Sequence, residues 1–149
     1  MALSFLAGDD RARLTAIQKS QAIIEFSPDG RIQSANPNFL AAMGYGLDEI
    51  RGKHHSMFVD AAYRDSADYK AFWAALNRGE HQAAQFKRFG KGGREVWLEA
   101  SYNPVVNRAG RVTAVLKCAT DISAEKASVA ELQGKVAALE RSQAVIEFE

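Results

Sequence analysis

The chain of 149 residues holds one cysteine, Cys118, and no apolar run long enough to cross a bilayer. A single thiol excludes an internal disulfide framework and any cysteine-rich zinc or iron–sulfur site, and it fits a reducing compartment, so a cytoplasmic location is expected. The opening Met1-Ala-Leu-Ser-Phe-Leu-Ala-Gly8 has no basic residue ahead of its apolar patch, and Asp9-Asp10 follow directly. It therefore reads neither as a signal peptide nor as an anchor, and no membrane contact is expected from this stretch of chain. Charge of one sign is equally scarce. Nineteen basic against eighteen acidic residues leave +1, which argues against a dedicated nucleic-acid binder. Catalytic signatures are missing too. There is no Gly-x-Ser-x-Gly elbow, and Gly90-Lys-Gly-Gly93 lacks the spacing and the Lys-Ser/Thr ending of a phosphate loop. His54, His55, Asp60 and His81 follow no standard metal-ligand spacing, so an enzyme is not expected.

What the chain does have is core material: 47% apolar residues, with eight Phe, four Tyr and two Trp. That suits one compact domain with appended helices, able to bury a core without covalent staples. An internal repeat marks its edges. Lys19-Ser-Gln-Ala-Ile-Ile-Glu-Phe26 recurs as Arg141-Ser-Gln-Ala-Val-Ile-Glu-Phe148, each copy reading as a helix end that runs into an apolar strand. The expected division is a helix over 1–20, a domain over 21–121, a further helix over 122–143, and the opening of a second unit at 144–149.

Asp9 and Asp10 are candidate caps for a helix over about 10–20. Ala22 to Phe26 and Arg31 to Ala35 read as a hairpin about the turn Ser27-Pro-Asp-Gly30. Asn36-Pro37 is a helix start that Gly44 ends, and Leu47 to Ile50 forms one more turn. An irregular stretch over 54–63 precedes a helix over 66–76, whose inner stripe is Tyr69, Phe72, Trp73 and Leu76. Three strands follow, over 82–89, 94–106 and 111–121, with a basic turn between the first two that includes Lys87, Arg88, Lys91 and Arg94. An edge hairpin kept soluble by its charges explains that turn. Strands at both ends with helices between them predict an α+β fold with an antiparallel sheet covered on one face. Beyond 122, Val129, Leu132, Val136 and Leu139 alternate at three and four residues, the spacing of a short coiled coil.

Several phrases together resemble one family. They are Ile32-Gln-Ser-Ala-Asn-Pro-Asn-Phe-Leu40, Met43-Gly-Tyr45, Leu47-Asp-Glu-Ile-Arg-Gly52, Phe72-Trp73, Arg88-Phe-Gly-Lys-Gly-Gly-Arg-Glu-Val-Trp97, Asn103-Pro104 and Ala119-Thr-Asp-Ile-Ser123. Over about 20–123 the chain resembles PAS sensory domains, in wording similar to the tandem cytoplasmic PAS modules of bacterial methyl-accepting chemotaxis receptors. The resemblance implies a five-stranded antiparallel sheet with short helices on one face, flanked by N-terminal and C-terminal helices, enclosing a pocket for a ligand or cofactor. It also implies that Asp121 couples the last strand to an output helix, with Ser123 in place of the family's usual threonine.

His54 and His55 stand where the light-sensing branch of that family carries its adduct-forming cysteine, so a photocycle of that kind is not expected. Imidazole ligates metals and haem iron, and adjacent residues in extended chain point to opposite sides, so at most one of the pair is expected to face the pocket. A solvated histidine beside one bonded to a loop carbonyl is the plainer alternative. Gly52 to Phe58 and Phe72-Trp73 also resemble flavin-binding aerotaxis receptors, with Ser101 where those have an asparagine. The candidate cofactor contacts are thus His54, His55, Met57, Phe39, Trp73, Trp97 and Ser101, against simple core packing for the aromatic and methionine side chains. The cofactor stays open between haem b, FAD and none. The expected function is a sensor of redox state, oxygen or a small ligand that signals through a homodimeric coiled coil to an adjacent repeat and an output domain. The alternative is a cofactor-free dimerisation or docking module of a histidine kinase or diguanylate cyclase.

Overall fold

The computed structural model describes the backbone of residues 2–147 and the side chains of 10–143. Its centre is a five-stranded antiparallel sheet of β1 (Ala22–Phe26), β2 (Ile32–Ala35), β3 (Gln82–Phe89), β4 (Glu95–Val106) and β5 (Val112–Asp121), in the order β2-β1-β5-β4-β3. This is the α+β arrangement expected. Five helices frame it: α1 (Ala2–Ser20), α2 (Pro37–Met43), α3 (Leu47–Ile50), α4 (Ala61–Arg64) and α5 (Ala67–Asn77); α6 (Ser123–Glu147) extends from the last strand.

The strands alternate as a half-covered sheet should. Val96, Leu98, Ala100 and Tyr102 of β4 are buried together with Ala22, Ile24 and Phe26 of β1 and Val115 and Ala119 of β5. Against this face α2 sets Phe39 and Met43, one turn apart, and α5 sets Tyr69, Phe72, Trp73 and Leu76, the stripe the sequence predicts.

Asn36 organises the entry to the domain. Its Oδ1 accepts from Phe39 N at 3.0 Å, capping α2, and from Ile23 N at 2.9 Å in β1. Its Nδ2 donates to Gln18 O and Gln21 O, and Asn38 Nδ2 reaches Gln18 O, Lys19 O and Gln21 O. Two amides thereby satisfy carbonyls that the last turn of α1 leaves without helical partners, tying that helix to the sheet. At the other edge Gly90 packs so close to α2 that a Cβ there would stand 2.5 Å from Met43 O. Only glycine lets the β3–β4 turn approach the helix in this way.

Three expectations change. The first helix, Ala2–Ser20, fills almost all of the 1–20 span expected, but Asp9 and Asp10 lie inside it and do not cap a start near residue 10. The stretch over 54–63 is not irregular: a 3₁₀ turn, His55–Phe58, leads into α4, which Asp60 caps by accepting from Tyr63 N at 2.7 Å. Finally, α6 runs on to Glu147, so 144–147 are helical where a strand was expected; Phe148 and Glu149 lie outside the described residues. A helix propagates residue by residue from the turn before it, and α6 does so here.

Candidate functional site

The 3₁₀ turn sends its two histidines to opposite sides. His54 caps the turn, its Nδ1 accepting from Ser56 N at 3.0 Å. Its ring lies over Gly30, where a Cβ would come within 2.7 Å of Nε2 and where φ is +88°, so the hairpin turn needs glycine on both counts. Together with Pro28, Tyr69, Trp73 and Asn77, His54 lines an open groove of about 250 Å³ between that turn and α5.

His55 goes inward and is fully buried. Its backbone N–H donates to Gly30 O at 2.8 Å, and its ring packs edge-on to Phe26 at 5.3 Å and Trp73 at 5.4 Å. Both ring nitrogens meet phenols: Nδ1 lies 2.8 Å from Tyr69 Oη and Nε2 2.9 Å from Tyr102 Oη. Tyr102 Oη in turn receives Arg88 Nε at 3.3 Å and Nη2 at 3.2 Å. A guanidinium only donates, so the Tyr102 hydroxyl proton is directed to His55 Nε2. The imidazole is therefore assigned as the neutral Nδ1–H tautomer, donating to Tyr69 Oη. Burial, then the nearby Arg88 and Lys117 charges, hold the His55 pKa well below 6.5. Burial pushes the Tyr69 phenol up to about 12 and raises Tyr102 as well. Trp73 Nε1 approaches Tyr69, enough to oppose that rise, but falls short of a hydrogen bond and is left without a partner.

Two further cations share this interior, and sequence reasoning missed both. Arg88, expected on a solvated basic hairpin, is 3% exposed, because it alternates inward with Phe86 along β3. Lys117 stands opposite both Ile24 and Tyr102 in the middle of the sheet, 1% exposed, its Nζ 4.7 Å from the Tyr102 ring centre. The available signal was strand parity: Lys117 is two residues from Val115 and from Ala119.

The expected cofactor contacts do not form one group. Phe39, Met57, Trp73 and His55 lie on the covered side, with Phe39 and Trp73 buried and Met57 packed against the core. Trp97 and Ser101 point the other way, since β4 turns its even-numbered side chains inward from 96 to 102. Ser101 Oγ there accepts from Asn103 Nδ2 at 3.0 Å, and Cys118, with its thiol pKa pushed up by burial, lies on the same outer face. As an iron ligand His55 offers no free lone pair, because Nδ1 carries the proton and Nε2 accepts from Tyr102.

Trp97 belongs instead to the root of α6. Its N–H donates to Ser123 Oγ at 2.9 Å, its carbonyl accepts from Ile122 N at 2.9 Å, and Lys126 Nζ lies 4.6 Å over its ring. Asp121 Oδ1 accepts from Ser123 N at 2.9 Å, closing the turn between β5 and α6. Among the described residues there is no cluster of three or more His, Cys, Asp or Glu side chains able to hold a metal, and no helix long and apolar enough to cross a membrane.

A half-wrapped five-stranded sheet with a polar knot under its helices defines a class, and comparison agrees: residues 18–127 match the PAS fold family, to which the chain belongs. Among curated proteins it is 48% identical over 136 residues to the biofilm dispersion protein BdlA of Pseudomonas aeruginosa, covering 91% of this chain and 33% of that protein. It is 29% identical over 100 residues to the aerotaxis receptor of Escherichia coli, covering 67% of this chain and 19% of the receptor. Among solved structures, an RNA-binding light-oxygen-voltage receptor superposes with a TM-score of 0.69 at 26% identity, over 94% of this chain and 39% of the receptor chain. The chain thus spans a third or less of the length of these two curated relatives.

Proposed function

We propose that this PAS domain is the input module of a chemoreceptor-like signalling protein, in which a small ligand or redox-active group under the helices biases the packing of α6. The observation that carries the reading is the path of β4. Its Tyr102 closes the His55–Arg88 knot inside, and its Trp97 holds the first turn of α6 outside. A change in the knot then reaches α6 through a single strand and the Asp121–Ser123 turn, as a shift between two packings. On this reading the domain is 21–121, the output helix 122–143, and 144–149 opens a second unit, with the whole in the cytoplasm. Leu14 and Ile17 of α1, and Val129, Leu132, Val136 and Leu139 of α6, are exposed in the single chain, Leu132 and Leu139 by 62% and 67%. A homodimer through these flanking helices covers them.

The interior suits some cofactors better than others. The unpartnered Trp73 Nε1 donor and the buried Arg88 guanidinium match acceptor groups of a flavin, which when bound supplies a redox-sensitive chromophore. Haem ligation through His55 needs that residue to give up Tyr102 first, leaving His54 as the other histidine candidate. A second reading, a docking module without any bound group, is favoured by how fully Phe26, His55, Phe72 and Trp73 already fill the space. An absorption spectrum of the purified chain separates these readings: twin flavin bands, a Soret band near ~400 nm, or neither. Sedimentation of Leu132→Asn and Leu139→Asn tests the dimer. A wild-type chain that is monomeric at ~50 μM, or variants that dimerise as well as wild type, defeats the coiled-coil output.

A further inference from the structure

The eight-residue phrase that ends α1 and forms β1 occurs twice in the chain and takes two conformations. In the first copy Lys19 and Ser20 close the helix and Ala22–Phe26 is a strand; in the second, 141–147 continue α6. What makes the first copy a strand lies outside it. β1 fills a slot between β2 and β5, with Ala22 opposite Ala119, and Phe26 opposite Val115 and Ile32. Ala22, Ile24 and Phe26 are buried there, and Ile23 exchanges hydrogen bonds with Asn36, its N–H donating to Oδ1 and its carbonyl accepting from Asn36 N, both at 2.9 Å. The second copy meets each of these requirements. Ala144, Ile146 and Phe148 repeat the three core side chains, Glu147 repeats Glu25, and the one change, Ile23 to Val145, falls at an outward position of the strand. The carbonyls that Asn36 and Asn38 hold, Gln18 O, Lys19 O and Gln21 O, are backbone groups that any helix end supplies. By its core-facing contacts, then, the slot does not tell the two copies apart.

We propose that residues 144–148 are a second occupant of the β1 slot, entering it in another copy of the chain, so that two chains exchange strands across their α6 helices. β1 enters the sheet at Ala22, opposite Ala119, which is the end of β5 that leads into α6. Over 123–143 an unbroken α6 rises about 30 Å, so the second phrase is carried away from its own sheet and toward another. Filling its own slot would demand a break in the helix, for which Gly134 is the weakest point. Exchange between chains leaves α6 whole. The first copy keeps the advantage of direct attachment to β2 through the turn over 27–30, so its high local concentration favours it in a dilute chain. Exchange grows with chain concentration, and whenever β1 is damaged. It needs no ligand, and it stands whether or not the domain is a sensor.

Cysteine trapping tests this on the whole chain. Ile23 and Cys118 are Cα partners in the β1–β5 ladder, a spacing that a disulfide spans. Val145→Cys therefore sets a thiol against Cys118 only when the second phrase sits in the slot. Mild oxidation with diamide, followed by non-reducing electrophoresis and mass mapping of the linked peptides, is expected to give dimers joined from position 145 of one chain to 118 of the other. Adding Ile24→Asp, which buries a carboxylate in β1, is expected to raise their yield several-fold; adding Ile146→Asp is expected to abolish them, and so is Cys118→Ser. Melting supplies a second readout. Ile24→Asp alone keeps a cooperative transition, because the second phrase fills the slot, whereas Ile24→Asp together with Ile146→Asp loses it. The proposal is overturned if no 145-to-118 link forms with or without Ile24→Asp, if that change leaves the yield unaltered, or if the link lies within one chain. It is equally overturned if dimers are joined only through two 145 thiols, as an unexchanged coiled coil would join them, or if the single and double variants melt alike.

Discussion

The two faces of the sheet share one backbone and have opposite chemistry. On the covered face, large rings surround a histidine, an arginine and a lysine that meet hydroxyls and π faces in place of carboxylates. On the open face, Ser101, Cys118 and Trp97 lie among small and polar neighbours, and the organised contact there is the root of α6. The difference teaches that polarity in this domain is not a surface property. The expensive polar groups are inside, where only specific partners make them tolerable.

The sharpest way to break the comparison is to remove bulk from the covered side. Phe26→Ala deletes the ring that packs on both His55 and Trp73, and should cost about 3–5 kcal/mol in urea unfolding. A loss under about 1 kcal/mol would mean the core is less tightly filled than its contacts indicate. Next in size is Tyr102→Phe, which keeps the ring but strands two Arg88 donors and the lone pair of His55 Nε2. A loss of about 1–3 kcal/mol is expected from the same urea titration. A stability unchanged by the missing hydroxyl would show that the knot contributes nothing.

Acid sharpens the contrast without mutation. His55 is neutral in the fold with a pKa well below 6.5, so above 6.5 neither folded nor unfolded chain protonates it. As pH falls below 6.5 the unfolded chain gains a proton that the fold refuses. Stability should therefore fall by ~1.4 kcal/mol per pH unit from this residue, read from urea midpoints at about pH 7.5, 6 and 5. A flat profile over that range would place a charged histidine in the core. The smallest effect belongs to the open face: Ser101→Ala should stay within about 0.5 kcal/mol of wild type in the same titration, and a larger loss would mark that face as a covered surface.

Much of the fold was legible because its determinants are local. Asn36-Pro37 announced α2, Gly30 placed a hairpin turn, and the spacing of Tyr69, Phe72, Trp73 and Leu76 gave the inner stripe of α5. The site was legible only in part. His55 could be singled out as an inward candidate beside His54, but its partner Tyr102 lies 47 residues along the chain, and no spacing rule links them. Arg88 and Lys117 were hidden because charge in a strand reads as solvent-facing until pairing fixes which parity faces the helices. Trp97 and Ser101 failed for the same reason, sitting at odd positions of a strand whose even positions line the interior.

That parity leaves β4 no freedom to slide. A one-residue slip against β5 would carry Glu95, Glu99 and Ser101 into the apolar layer and turn Tyr102 outward, dissolving the knot and the anchorage of α6 together. Single insertions should accordingly be tolerated in the turn between β4 and β5, which Gly110 N closes by donating to Asn107 O at 3.0 Å, and rejected anywhere from Val96 to Tyr102.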